Sequence, residues 1–119
     1  MKDQIQSLFR TDSWGHRNGH VDIGCLHLYY RVTQHRLNEV FMDTFDVAAV
    51  EVPPEEQNKG HFKRFLEVLE EVADQEKRNI HIECVHTDRF ANFFQKRGYI
   101  PCNISSGTHF YRPIGVSNG

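Results

Sequence analysis

The sequence lacks the features of a membrane, secreted or nucleic-acid-binding chain. No apolar run is long enough to span a bilayer, and the residues from Met1 to Gln6 have no hydrophobic stretch like that of a secretory signal. Net charge is only −2 over 119 residues, so no general basic field is available for a nucleic-acid backbone. We therefore expect a cytoplasmic protein with no membrane partner, and nucleic acid is not favoured as a partner.

Cysteine is also scarce. Cys25, Cys84 and Cys102 are widely spaced, which argues against a disulfide framework and fits reduced thiols. Of the eight histidines, only His16 and His20 have the i, i+4 spacing of a helical metal site, and the glycines beside them disfavour a helix. We expect neither a metal site nor a catalytic cysteine.

The length and the apolar content predict one compact domain. A chain of 119 residues with 39% hydrophobic residues can bury one core but hardly two. We assign residues 1–20 to an N-terminal segment, a short helix or loop, in which Thr11 to His20 is the polar, glycine-containing part. Residues 21–119 form the single domain.

Extended segments alternate with two helical ones. Strands are predicted at Val21–Val32, Val40–Val52, Ile80–Val85 and Thr108–Arg112, and a turn into the second strand is predicted at Gln34–Asn38. A bend is expected near Asp43 to Asp46. Strands interleaved with helices indicate an α/β fold.

The longest helix follows from an apolar stripe. The stripe has i, i+3, i+4, i+7 spacing and consists of Phe62, Phe65, Leu66, Leu69, Val72 and Ala73. Charged residues that include Glu70 and Asp74 are assigned to the opposite, solvated face. The pattern fades near Lys77, where we expect the helix to end.

A glycine loop joins the second strand to this helix. The segment from Val50 to Phe62 runs from apolar strand residues through Pro53 and Pro54 to Gly60. The first N–H groups of a helix have no partner within it, and the helix dipole adds positive charge there. The loop could hold a phosphate, although a glycine in a loop more often marks only a turn.

Two motifs carry a family resemblance. The loop Gln57-Asn58-Lys59-Gly60-His61 resembles the Gln/Arg-x-x-Gly-x-Gly/Ala loop of the GCN5-related N-acetyltransferase (GNAT) superfamily, and the preceding Val52 and Pro54 match the Val-x-Pro strand ending of that family. The segment from Asp88 to Tyr99 resembles the family's short helix that ends in an aromatic, a basic residue and Gly-aromatic. The resemblance covers roughly residues 37 to 102.

The resemblance implies a GNAT-like mixed, mostly antiparallel sheet with splayed central strands and flanking helices. It implies an N-acetyltransferase that moves an acetyl group from acetyl-CoA to a primary amine by direct attack in a ternary complex. The cofactor-binding residues that it implies are Val50, Val52, Gln57, Asn58, Lys59, Gly60, His61, Phe62, Asp88 and Phe94. The strand residues would pair with the pantetheine amides, and the loop N–H groups would hold the pyrophosphate.

Three positions depart from the family pattern. Phe62 stands where a second small residue is usual in the loop, and Asp88 stands where an Asn is frequent. Phe94 replaces a Tyr that can protonate the departing thiolate, and a phenyl ring has no proton to give. The departures place leaving-group chemistry and one cofactor contact in question.

Asp46 is the first candidate for the general base that the amine needs. Histone-type members of the family carry a glutamate at the same distance before the loop. Strand alternation predicts that Asp46 shares a face with Val50 and that Glu51 lies on the other face. Glu51 and Glu83 are the second choices.

Few residues are available to form the acceptor side of the site, because only about 20 residues precede the first predicted strand. An open acceptor face suits a protein side chain or terminus, or a second subunit that closes it in a homodimer. One alternative function is a non-catalytic acetyl-CoA-binding or interaction module of the same fold. Another is an unrelated small α/β domain in which the glycine loop is only a turn.

Overall fold

The computed structural model describes residues 1–83, 88–104 and 107–115. Its elements, in chain order, are α1 (Lys2–Ser7), β1 (Arg17–Ile23), β2 (Leu26–Leu37), β3 (Val40–Glu51), α2 (His61–Gln75), β4 (Asn79–Ile82), α3 (Asp88–Lys96), β5 (Ile100–Ile104) and β6 (Gly107–Arg112). Pro54–Glu56 form a short 3-10 turn between β3 and α2.

The six strands form one sheet in the order β1-β2-β3-β4-β6-β5. Every neighbouring pair is antiparallel except β3 and β4, which are parallel and are joined through α2. A parallel pair needs a crossover connection, and α2 supplies it. The predicted fold class, a mixed, mostly antiparallel sheet with flanking helices, is confirmed.

The first predicted strand is in fact a hairpin. Val21–Val32 is divided between β1 and β2 by a turn at Gly24 and Cys25, and Gly24 has a φ of +59° that suits glycine. β1 begins at Arg17, so the last part of the predicted loop is a strand. The domain boundary at residue 20 remains a prediction, and β1 crosses it.

The turn predicted at Gln34–Asn38 lies later in the chain. β2 continues to Leu37, and Asn38 and Glu39 make the turn with φ values of 48° and 66°. Two left-handed residues in a two-residue loop are typical of a tight β-hairpin. The bend predicted near Asp43 to Asp46 is absent, because these residues pair continuously with β2.

β4 ends at Ile82, before the predicted end at Val85, which lies outside the described residues. β6 confirms the predicted last strand, whereas β5 was not predicted. Pro101 and Asn103 in β5 are poor strand formers, so the local signal was weak.

The three helices pack on one face of the sheet. Phe9, which follows α1, stacks on Phe45 of β3 with ring centroids 4.6 Å apart, and Phe94 of α3 lies 5.7 Å from Phe110 of β6. The predicted stripe of α2 is confirmed, since five of its members are fully buried: Phe65, Leu66, Leu69, Val72 and Ala73. None of the helices among the described residues is long and apolar enough to cross a membrane.

Glu70 corrects the prediction that the charged residues of α2 all face solvent. Only 2% of Glu70 is exposed, and its carboxylate accepts hydrogen bonds from Tyr99 and Arg97 and lies near Arg112. Buried charges in proteins are tolerated when they are paired and hydrogen-bonded. The network fastens α2 to the end of α3 and to β6.

The opposite face of the sheet has no helix over it among the described residues. Strand pairing places a polar and aromatic set of side chains on this face, which we call the open face: His27, Tyr29, Arg31, Thr44, Asp46, Glu51, His81 and His109. Part of this set is exposed, but Asp46, Thr44 and His81 are fully buried within it.

Candidate functional site

The described pairing of the two parallel strands ends in the middle of the sheet. Their pairing covers Thr44–Val47 and Asn79–Ile82, and the N–H of Glu83 then donates to the carbonyl of Val47 at 3.1 Å. β3 continues to Glu51, paired only with β2. In the described part of the chain, this second half of β3 therefore presents one main-chain edge without a partner strand. Such an edge can pair with an extended ligand.

A β-bulge in β3 directly follows the last described pair with β4. Tyr30 pairs with Val47 but Tyr29 pairs with Ala49, so Ala48 is an extra residue in β3. A bulge bends the strand and interrupts the alternation of side chains.

The bulge corrects the predicted distribution of acidic residues over the two faces. Beyond it, Val50 pairs with Leu28 on the core face and Glu51 pairs with His27 on the open face. Asp46 pairs with Arg31 on the open face. Asp46 and Glu51 thus share a face, and Val50 packs toward the core, contrary to simple alternation.

Asp46 lies one residue before the last described pair of β3 and β4 and has no exposed surface. Its Oδ2 lies 2.6 Å from His35 Nε2, and its Oδ1 lies 3.0 Å from His81 Nδ1. The hydroxyl of Thr44 donates to Oδ1 at 2.8 Å, and Arg31 Nε lies 3.4 Å from Oδ2. An ionised carboxylate only accepts hydrogen bonds, and all four groups can donate.

These partners determine the charge of Asp46. Burial by itself would raise its pKa, but the hydrogen bonds and charges of His35 and His81 outweigh burial and hold the pKa well below the ordinary value. Asp46 is therefore a carboxylate at neutral pH. A carboxylate with a lowered pKa is a weak base by itself, although it can stabilise a cation beside it.

A histidine pair extends the network across β4 and β6. His81 Nε2 lies 2.9 Å from His109 Nδ1, and both rings are buried. Burial, followed by the charge of neighbouring His81, lowers the pKa of His109. If His81 is neutral, its Nδ1–H donates to Asp46 and its Nε2 accepts from His109. Both nitrogens of His81 are then occupied.

Arg31 completes the charge balance of this network. Its guanidinium contacts Asp46 and also forms an ion pair with Glu83. Ligand atoms of His35, Asp46, His81 and Glu83 lie within 4.8 Å of one another. We interpret them as a hydrogen-bonded network, because the two ring nitrogens of His81 already contact Asp46 and His109, and Arg31 already supplies positive charge.

The backbone of the predicted cofactor loop is exposed and includes two residues with positive φ. Asn58 and Gly60 have φ values of 64° and 81°, and residues 57–60 are exposed. No side chain caps the first turn of α2, and the first turn contains no acidic residue. The N–H groups that open α2 are thus available to an anion, and a Cβ at Gly60 would meet open space.

Side chains of the loop are tied back to the protein. Gln57 Nε2 donates to the carbonyl of Val52 at 3.1 Å, which closes the loop. His61 Nε2 lies 2.9 Å from a Glu56 carboxylate oxygen, and Lys59 Nζ lies 3.6 Å from the same atom. Lys59 is thus paired with an acid rather than isolated on the loop.

Arg89 was not predicted and brings α3 to this loop. Its guanidinium donates to the side-chain oxygen of Asn58 at 3.0 Å, so a second basic residue lies at the exposed loop. Asp88 begins α3, but its predicted side-chain contact falls outside the described part of the structure.

Two aromatic departures from the family pattern, Phe62 and Phe94, pack against or within the hydrophobic core. Phe62 is half-buried and meets Phe94 edge to face at 6.2 Å. Phe94 is 2% exposed and packs against Tyr99 and Phe110. The large ring at position 62 is accommodated by this cluster, and a direct cofactor contact of Phe94 stays a prediction.

The structure groups the predicted residues into two places. Asp46 lies in the buried network, whereas Gln57, Asn58, Lys59, Gly60 and His61 lie in the loop. Sequence reasoning missed His35, His81 and Arg31, which are the immediate partners of Asp46. These side chains lie on the same face of the sheet as Asp46. This can be recognised from the sequence only when the register of β2, β3 and β4 is known.

Comparisons with known proteins bear on the fold alone. No protein-family model matches the sequence. No curated protein matches it either. A solved structure of a mutant of the toxin AtaT, bound to the C-terminus of the antitoxin AtaR and to acetyl-CoA, is similar with a TM-score of 0.50 and 14% sequence identity. The match covers 73% of this chain and 59% of that chain. The chain therefore has a GNAT-like fold, with a six-stranded, mostly antiparallel sheet and flanking helices.

Proposed function

We propose that this protein is an acetyl-CoA-dependent N-acetyltransferase. The observation that carries the proposal is the end of the described β3–β4 pairing at Val47 and Ile82, one residue beyond Asp46 and His81. Among the residues that the structure describes, the rest of β3 is paired only with β2 and lies beside a buried charge network. The GNAT-like fold and the similar structure that contains acetyl-CoA support the proposal.

Acetyl-CoA would lie beside β3, beyond Val47, as a surrogate strand. Its pantetheine amides would pair with main-chain groups near Val50 and Val52 on the free edge of β3. Its pyrophosphate would accept hydrogen bonds from the uncapped N–H groups between Gln57 and Phe62. Arg89 would add positive charge beside Asn58.

The amine must lose a proton before it attacks the thioester carbonyl. His35 is the group for this step, because its side chain is 29% exposed while its Nε2 is bonded to Asp46. His35 Nδ1 would take the proton, and the Asp46 carboxylate would stabilise the imidazolium. This is the division of labour between histidine and aspartate in catalytic triads. Asp46 thus acts through His35.

The remaining steps need few side chains. A main-chain N–H on the free edge of β3 would stabilise the oxyanion that forms on the thioester carbonyl. The carbon–sulfur bond then breaks and coenzyme A leaves as a thiolate. Because thiol pKa values lie near 8.5, the thiolate can depart as the anion or take a proton from water. No tyrosine at position 94 is required.

The acceptor in this proposal is a primary amine on a protein. The open face has no helix over it in the described chain, which leaves room for a macromolecular substrate or a second subunit. AtaT is bound to a peptide segment, the C-terminus of AtaR, which is consistent with a protein partner. The cytoplasmic location expected from the sequence belongs to the same proposal.

A second candidate is a binding module that has lost catalysis. It is favoured by Phe94, a buried phenyl ring where the resembled family has a proton donor, and by the low pKa of Asp46. Both candidates predict binding of acetyl-CoA, and they differ in turnover.

The test has two stages. Isothermal titration with acetyl-CoA, with coenzyme A and adenosine as controls, should show saturable binding that requires the pyrophosphate. Release of free thiol should then be followed with a panel of lysine peptides, free N-terminal peptides and polyamines. Binding without thiol release for any amine would select the binding module. No binding at millimolar concentration would leave an unrelated α/β domain.

A further inference from the structure

We propose that Cys25, Glu56 and His61 form a binding site for a zinc-like divalent cation. The three residues come from the β1–β2 turn, the 3-10 turn before the loop and the first position of α2. One ligand atom from each lies within 4.8 Å of the other two. None of its geometry involves the open face, although His61 also belongs to the loop predicted to hold the cofactor.

The spacing is close to that of a metal site. His61 Nε2 and Glu56 Oε2 lie 2.9 Å apart, and the sulfur of Cys25 lies within 4.8 Å of both ligand atoms. Tetrahedral zinc with bonds of about 2.0 to 2.3 Å separates its ligands by roughly 3 to 4 Å. Side-chain rotations that move these atoms by about 1 Å would therefore close the site.

The donor set indicates which ion would bind. A thiolate and an imidazole select zinc, or cobalt as its substitute, over calcium and magnesium, which prefer oxygen ligands. One thiolate and one carboxylate neutralise a divalent charge. On binding, the Cys25 thiol would release its proton, and the neutral ring of His61 would carry its proton on Nδ1 so that Nε2 can bind the metal.

The surroundings leave the site accessible. Glu56 and His61 are 34% and 29% exposed in their side chains, and Cys25 is partly buried. Lys59 is the nearby cation, at 3.6 Å from Glu56, but its side chain is 57% exposed and can turn to solvent. With three protein ligands, the fourth position would belong to water.

Metal binding would fasten the exposed loop to the sheet. Glu56 and His61 flank residues 57–60, and Cys25 is part of the β1–β2 turn. A bond from each to one ion would link three separate segments. We therefore expect the ion to raise the thermal stability of the chain.

Cobalt(II) titration of the purified full chain tests the site, because thiolate ligation gives a charge-transfer absorption band in the near ultraviolet. We expect this band to saturate at one equivalent, to disappear on addition of excess zinc, and to be absent in Cys25→Ser. The matched control Cys102→Ser removes another cysteine, buried in β5, and should keep the band. The cluster around Asp46 contains no thiol, so it cannot produce this signal.

Two further variants keep the test informative if Cys25→Ser fails to fold. Glu56→Gln and His61→Gln alter partly exposed side chains and should each weaken cobalt binding at least about tenfold, a loss of about 1.4 kcal/mol. His27→Gln, an exposed histidine paired with Asp22, should leave binding unchanged. A band that persists in folded Cys25→Ser, or the absence of any band in the wild type, would overturn the proposal. So would unchanged affinity in both glutamine variants.

Discussion

Asp46 and His35 lie on adjacent strands with Oδ2 and Nε2 2.6 Å apart, and Asp46 lies one residue before the described pairing of β3 with β4 ends. The carboxylate is fully buried, whereas the imidazole is partly exposed. The Asp46 carboxylate, which does not contact solvent, is thus hydrogen-bonded to the His35 imidazole, which does. The relationship explains how a buried acid could influence chemistry on the open face.

Asp46→Asn should reduce turnover and spare cofactor binding. The amide keeps the shape but loses the negative charge that stabilises a protonated His35. We expect acetyl transfer to fall by roughly 10² to 10⁴-fold. The dissociation constant of acetyl-CoA, measured by titration, should stay within about twofold. Asp43→Asn, an exposed acid three residues earlier on the same strand, is the control and should retain full turnover.

His35→Gln should change the pH dependence as well as the rate. Glutamine can still donate to Asp46 but cannot take up a proton. The limb of the pH profile of kcat/KM that reports deprotonation of the base should disappear. A variant that kept this limb with normal turnover would exclude His35 as the proton acceptor. His27→Gln on the same face serves as the control.

Gly60→Ala should weaken acetyl-CoA binding. The φ of 81° costs an alanine roughly 1–2 kcal/mol, and the added methyl group would occupy the space in front of the helix start. Gly15→Ala is a matched control, since Gly15 has a φ of 79° and similar open space but lies outside the loop. Both variants should lose stability in thermal unfolding. Only Gly60→Ala should raise the dissociation constant, by about tenfold or more.

Asp46 should also stabilise the fold in a pH-dependent way. Its folded-state pKa lies below the unfolded value of about 3.9, so its contribution is complete above that pH and is lost as the pH falls toward the folded-state pKa. Urea denaturation between about pH 6 and about pH 3 should therefore show a steeper decline for wild type than for Asp46→Asn. Equal slopes would show that the pKa of Asp46 is the same in the folded and the unfolded chain.

Tyr99→Phe should destabilise the chain without affecting its chemistry. Burial and the Glu70 carboxylate raise the pKa of Tyr99 above its ordinary value, so the hydroxyl remains a donor to Glu70 at 2.8 Å. Loss of the hydroxyl leaves the buried Glu70 carboxylate with one hydrogen-bond donor fewer. This should lower the free energy of unfolding by about 1–3 kcal/mol. Chemical denaturation measures the loss. Tyr29→Phe, on the open face, should cost less.

Local pattern was sufficient for α2 and for the loop that precedes it. The stripe of α2 is a short-range periodicity, and Phe65, Leu69 and Val72 are buried as it predicted. The turn of positive φ at Gly60 and the helix that follows it are likewise local events. Local pattern failed for Glu70, because its burial depends on Arg97, Arg112 and Tyr99 arriving from later elements.

Strand-dependent features required the tertiary structure. A single extra residue at Ala48 reversed the face of Val50, and no local signal marks that bulge. The partners of Asp46 come from β2 and β4, so they are known only from the register.

The sequence by itself thus determined α2, the glycine loop and the general α/β class, because these rest on the spacing of neighbouring residues. The tertiary structure alone decided which side chains meet. Cys25 lies far in sequence from Glu56 and His61, and His81 lies far from His35 and Asp46. These side chains meet because strand pairing and the packing of α2 bring distant segments together. Those contacts form only when the whole domain folds.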